Sequence, residues 1–186
     1  KYSEALIYYN VVLELYKNSY SPAMVKAINN IGYCYGAMGQ YKIAEKKFLK
    51  AIELFQQHSD TTNLARAYNN LGQAKRFLGE YDQAIEYLLK SLKLKETQKN
   101  KNENDILFTM INIGNMHIQN KDHNSAKIYF SKVFKIALEK HNKDMLYSAN
   151  TGFGMTEMEQ ENYKEATRYF LKSVQLGKEL EDVEAL

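Results

Sequence analysis

The chain has 186 residues, 45% of them apolar, enough for one globular domain or one run of stacked repeats. Its 25 basic and 22 acidic groups leave a formal charge of +3, and Lys and Glu are interspersed, so no basic stripe argues for nucleic acid or an anionic membrane. A single Pro leaves long helices uninterrupted, and no apolar run approaches the roughly 18 residues needed to span a bilayer.

In chain order, residues 1–17 read as one helix. Ser21-Pro22 is an N-cap followed by Pro at the first helical position, which opens a helix over about 22–38. Further helices follow at about 41–58, 62–78, 81–98, 104–120, 123–141, 144–160 and 163–181. Asp60, and Asn104 or Asp105, are the expected caps of later helices. The polar segment 98–103 is the longest connector and is expected to be a loose loop. The opening Lys1-Tyr2-Ser3-Glu4 lacks Met and reads as an excised piece, so a missing targeting segment carries no weight. Cys34, in an apolar run, has no second Cys to pair with and reads as a small buried thiol. That fits a reducing, cytoplasmic setting.

Internal repetition organises these helices. Gly32, Gly72, Gly114 and Gly154 are spaced by 40, 42 and 40 residues. Ala44, Ala84, Ala126 and Ala166 each follow their glycine by 12, and Phe48, Leu88, Phe130 and Phe170 stand four further on. Tyr41, Tyr81, His123 and Tyr163 precede each alanine by three, and Tyr2, Ala5 and Tyr9 fit a fifth, partial copy. Small residues at fixed places mark close helix approaches, and apolar residues three and four apart form the buried stripes. Gly39 and Gly79 suit the left-handed residue that ends a helix. The later copies have Lys121 and Glu161 there, beside Asn120 and Asn162, and their turns are expected to be less tight.

These residues resemble the tetratricopeptide repeat over essentially the whole chain: Tyr68, Leu71, Gly72, Gly79, Tyr81 and Ala84 in one copy, and Ile31, Gly32, Tyr35, Gly39, Tyr41, Ala44, Phe48 and Ala51 in another. The resemblance implies an all-α fold, an α-α superhelix (TPR solenoid) of about nine antiparallel helices. It implies one array over 1–186: a lone second helix at 1–20, then repeats at 21–59, 60–99, 104–142 and 143–181. The usual repeat is about 34 residues; here the extra length lies between Ala and the next Gly, and the late Pro is absent. This long form is similar to that of kinesin light chains, of cell-polarity adaptors and of bacterial peptide-pheromone receptors of the Rap type. The HEAT repeat shares the period but not the Gly/Ala pattern.

In such arrays the first helix of each pair lines the concave face. The resemblance therefore assigns a groove to Lys26, Asn30 and Tyr33, then Arg66, Asn70 and Gln73, then Phe108, Asn112 and Asn115, then Met155. Asn29, Arg76, Phe77, Ile111, Thr151 and Met158 stand at neighbouring positions. Asn30, Asn70 and Asn112 form a ladder of amides, which both donate and accept and so can bracket a peptide backbone; Gly152 breaks it. Alternatively, these amides bond a neighbouring helix or face water. Lys26, Arg66 and Arg76 give a basic edge, and Phe108, Ile111, Met155 and Met158 an apolar one.

No catalytic constellation stands out. His58, His117, His123 and His141 lack a metal-binding spacing, and His117 and His123 occupy places where the repeat carries Tyr. The chain is expected to be no enzyme and to need no cofactor or metal. The leading expectation is a scaffold or sensor that holds a protein or peptide segment, without contact to nucleic acid or membrane. The alternative is a regulatory fragment of a larger bacterial signalling protein or transcription regulator. Self-association through open end repeats is a third expectation, because an uncapped repeat exposes apolar surface.

Overall fold

The structure is a computed structural model that describes residues 1–17 and 19–184, with side chains described through residue 180. Among the described residues there are nine helices and no strand: α1 (Tyr2–Leu15), α2 (Pro22–Ala37), α3 (Tyr41–Gln57), α4 (Thr61–Phe77), α5 (Tyr81–Thr97), α6 (Glu103–Gln119), α7 (His123–Glu139), α8 (Lys143–Glu159) and α9 (Tyr163–Glu184). Each expected helix is present within a few residues of its expected ends. Two compact units divide the chain, Lys1–Lys101 and Asn102–Leu186, and the boundary falls in the polar connector.

Within each unit successive helices pack on one another, and first helices of adjoining pairs touch: α2 meets α4, and α6 meets α8. The motif glycines explain the close packing. A Cβ on Gly32 would lie 2.8 Å from the Phe48 ring, on Gly72 2.9 Å from Leu88, on Gly114 2.6 Å from Phe130, and on Gly154 2.7 Å from Phe170. Each glycine of a first helix thus receives the large side chain of its own second helix. The alanines between them are buried. Gly152 repeats the device one helix further on: its Cβ would lie 2.4 Å from Phe130, so that ring is held between α6 and α8. The break in the amide ladder therefore has a packing cause.

Side chains cap the starts of α2, α4, α6, α7 and α8. Ser21 accepts from Ala23 N–H at 3.2 Å and Asp60 from Asn63 N–H at 3.1 Å, as expected. The cap of α6 is Asn102, which accepts from Asp105 N–H at 3.2 Å, rather than Asn104 or Asp105. The helix begins one turn-entry residue earlier than the apolar pattern suggests.

The expectation of looser later turns is wrong. In all four interhelix turns of the repeats, an N–H three residues past the helix closes on a carbonyl five residues back. These bonds are Gln40 to Tyr35 at 2.9 Å, Glu80 to Lys75 at 3.0 Å, Asp122 to His117 at 2.8 Å and Asn162 to Glu157 at 2.9 Å. Lys121 (φ 59°) and Glu161 (φ 61°) themselves take the left-handed conformation that Gly39 and Gly79 (both φ 76°) take. Asn120 stays at φ −84°. Packing of the helix pair outweighs the backbone preference of the residue at the turn.

Candidate binding surfaces on the first helices

The first unit carries two pockets on the side formed by α2 and α4. The first, of about 140 Å³, lies near the start of both helices and is lined by Lys26, Asn29, Asn30, Asn63 and Arg66, with Phe55 behind. Lys26 and Arg66 are exposed, and neither has an ion-pair partner among the described residues. The nearby carboxylate of Asp60 is already engaged by Asn63, at 3.1 Å to its N–H and 2.7 Å to its amide.

The second pocket, of about 320 Å³, lies toward the end of the same helices. Tyr33, Asn70, Gln73 and Phe77 line it with Tyr41 and Phe48 of α3. Tyr33 and Phe77 are 56% and 52% exposed and stand together at the hollow, where they present apolar surface. Phe77 stacks on Tyr41 with ring centres 4.5 Å apart, and the Arg76 guanidinium lies 4.1 Å over its ring. Arg76 is thus committed to an aromatic face and does not line the pocket that holds Lys26 and Arg66, a correction to the three-residue basic edge. The hollow exists because Gly36 and Ala37 stand where the next copy has Arg76 and Phe77. That difference was legible in the sequence. The contributions of Tyr41 and Phe48, from a second helix, were missed.

An amide pair joins the two pockets. Asn70 donates to Asn29 at 3.4 Å, and Asn29 lines the first pocket while Asn70 lines the second. Asn30, the expected ladder partner, is half-buried and makes no side-chain hydrogen bond among the described residues.

In the second unit the corresponding surface has another character. Phe108, 52% exposed, lines a pocket of about 250 Å³ with Tyr147, Ser148, Asn104, Asn142 and Asp144. Asn112 and Asn115 are half-buried with no side-chain hydrogen bond among the described residues, while Met158 is exposed. Ile111 and Met155 pack instead on the buried Ile118, Ala126 and Phe130. Their apolar faces therefore belong largely to the core.

Polar locks between adjoining helix pairs escaped the sequence reading. Lys75 is buried yet ion-paired to Glu45 and Glu80, and Glu80 also meets Lys42 at 3.1 Å. Burial pulls the Lys75 ammonium down, but the bonds to the two carboxylates outweigh it and hold its pKa above the usual lysine value. Bonds from Lys75 and Lys42 hold the Glu80 carboxyl low. At the same repeat positions in the second unit the charges reverse. Lys127 meets Glu157 at 2.8 Å, Asn162 donates to Glu157 at 2.8 Å, and the lysine holds that carboxyl low. A third such position carries His117, whose Nδ1 lies 3.3 Å from Asp122 and whose ring stacks on Tyr129 at 5.7 Å.

No helix among the described residues is long and apolar enough to cross a membrane, and no group of three or more His, Cys, Asp or Glu is placed to hold a metal ion. Cys34 is buried, and burial pushes its thiol pKa up.

Tetratricopeptide-repeat models match residues 23–97 and 109–140. No curated protein sequence matches the chain. Among solved structures, BtubC (BKLC) from P. vanneervenii is 13% identical, with 97% of this chain and 74% of that one covered and a TM-score of 0.85. A variant of a Podosopora anserina putative kinesin light chain with nearly identical TPR-like repeats is 13% identical, with 97% and 89% covered and a TM-score of 0.84. The apo form of RapI is 18% identical, with 95% and 77% covered and a TM-score of 0.68. At these identities the likeness is one of fold. With two family models covering most of its repeats and this fold throughout, the chain belongs to the tetratricopeptide-repeat family.

Proposed function

We propose that the chain is a binding scaffold whose first-helix faces hold an extended peptide or protein segment. The observation that carries this reading is the combination, on those faces, of exposed aromatic rings (Tyr33, Phe77 and Phe108) with amides that have bonding capacity to spare (Asn30 and Asn112). A peptide backbone presents alternating donors and acceptors that such amides satisfy, and its side chains cover the rings. The family supports the same reading, since its fold commonly serves as a non-catalytic interaction scaffold.

The test is a selection from a displayed random-peptide library, repeated on the double variant Asn70→Ala/Asn112→Ala. Both side chains are only half-buried, so the variant is expected to melt close to the parent. Selected peptides are expected to bind it at least about tenfold more weakly. Equal affinity for parent and variant would sink the reading.

A further inference from the structure

We infer that the α2–α4 face of the first unit takes a segment with two anchors, a carboxylate held by Lys26 and Arg66 and an apolar or aromatic side chain seated in the hollow lined by Tyr33, Tyr41, Phe48 and Phe77. This rests on the scaffold reading and names the chemistry of its partner.

Three observations converge on that occupant. The pocket at the helix starts is lined by two exposed cations and three amides, with no acidic side chain in its lining. Cations left without partners on a concave polar surface favour an anion, and the N-terminal ends of α2 and α4 add partial positive charge of the same sign. The pocket at the helix ends has aromatic walls, and its polar members, Asn70 and Gln73, stand beside the rings. That arrangement seats an apolar side chain while bonding to the backbone that carries it. The Asn70–Asn29 pair forms a continuous polar bridge between the pockets.

Geometry sets the spacing of the two anchors. Lys26 to Tyr33 along α2, and Arg66 to Gln73 along α4, are each seven residues, about 10 Å at 1.5 Å per residue. An extended chain advances about 3.3 Å per residue. The carboxylate and the apolar side chain therefore stand about three residues apart. The Arg76 guanidinium over Phe77 disfavours a cationic side chain at the aromatic end, so the anchor there is neutral.

The test uses fluorescein-labelled Gly/Ser peptides carrying one Phe and one Glu, with the spacing between them varied, titrated with the protein and read by anisotropy at low and high salt. Affinity is expected to peak when the two are about three residues apart. Replacing Glu by Lys, or Phe by Ala, is expected to weaken the best peptide about tenfold or more, and salt to erase only the part due to Glu. Lys26→Glu/Arg66→Glu should abolish the preference for Glu and keep that for Phe. Gly36→Met plugs the hollow without removing a wall, because its Cβ meets nothing nearer than Ala44 at 3.7 Å, and should abolish the preference for Phe. Melting curves confirm that each variant is folded.

Affinity indifferent to spacing, a Lys-bearing peptide that binds best, or variants that bind like the parent would each overturn the inference. If no peptide of the series binds, while library-selected peptides still depend on Asn70, the two-anchor chemistry is wrong and the scaffold reading stands. Selected peptides indifferent to Asn70 and Asn112 overturn both.

Discussion

The two units use one backbone plan and dress it with different chemistry. Six residues before the motif glycine, the first unit has Lys26 and Arg66, and the second has Phe108 and Ser148. The buried lock of the first unit is Glu45–Lys75–Glu80; that of the second is Lys127–Glu157–Asn162, with the signs exchanged. The turn residue is Gly39 or Gly79 in the first and Lys121 or Glu161 in the second. What stays constant is the steric requirement of helix against helix. Polar groups are free to change, provided that their partners change with them.

The lock offers the sharpest test of that rule. Lys75→Glu places a third carboxylate beside Glu45 and Glu80 in a buried position, and is expected to cost about 3 kcal/mol, because breaking a buried pair leaves uncompensated charge. Glu45→Lys/Lys75→Glu/Glu80→Asn transplants the arrangement of the second unit. It is expected to recover to within about 1 kcal/mol of the parent, since Lys42, whose two ion pairs it removes, is itself an exposed side chain. Urea unfolding measures both. A triple variant as unstable as the single one would show that the two locks are not interchangeable.

Next in size are glycines that look alike in sequence but meet different surroundings. Phe130 is fully buried between Gly114 and Gly152, so it cannot retreat from one without entering the other. Gly152→Ala is expected to destabilise by about 1–3 kcal/mol through overpacking. In the first unit Gly36→Ala meets only Ala44, at 3.7 Å, and is expected to stabilise by about 0.5–1 kcal/mol, since a helical Gly costs backbone entropy. A destabilising Gly36→Ala would mean that this hollow tolerates less than its geometry allows.

These examples show what the sequence carried and what it hid. The fold was legible because sterics repeat: glycines in register, alanines 12 residues on, and large side chains four beyond those. A sequence reading of position could place Tyr33 or Phe108 on a face. It could not tell that Met155 leans into the core while Met158 stays exposed, because both lie near the edge of the same stripe. Nor could it foresee that Asn70 pairs with Asn29 instead of Asn30, since that choice depends on how α4 sits against α2. The charge-reversed locks were hidden for another reason: each looks like ordinary surface charge until the helices are stacked.

The turns give a smaller, cleaner contrast. A Cβ at Gly39 or Gly79 would meet nothing within 4 Å, so any substitution there costs backbone strain alone. Lys121→Gly and Glu161→Gly are each expected to stabilise by about 1 kcal/mol, and Gly39→Lys to destabilise by a similar amount, the left-handed penalty for an L-residue. Thermal melts of the three single variants measure this. No gain at Lys121 would mean that its side chain makes good the strain, and the two turn types would then be equivalent in energy as well as shape.

The smallest expected effect separates the units by pH. Of the lock positions Lys75, His117 and Glu157, only His117 is a residue type whose ordinary pKa lies near neutrality. Burial pushes its pKa down, and Asp122, the carboxylate facing it, does not fully offset that; Tyr129, which stacks on the ring, carries Lys132 on its own face. The folded chain therefore binds a proton at His117 less readily than the unfolded chain does. The stability this group contributes is complete above its unfolded value and is lost as pH falls below about 6.5. Glu80 and Glu157, held low by their lysines, lose their contribution only below the carboxylate range, in both units alike. Hydrogen exchange read helix by helix should therefore show α6 and α7 losing protection between neutral pH and pH 5 while α4 and α5 hold theirs. His117→Tyr, which restores the residue usual at this place in the repeat, should remove the difference. Equal loss in both units, or loss that persists in His117→Tyr, would place the acid sensitivity elsewhere than in this lock.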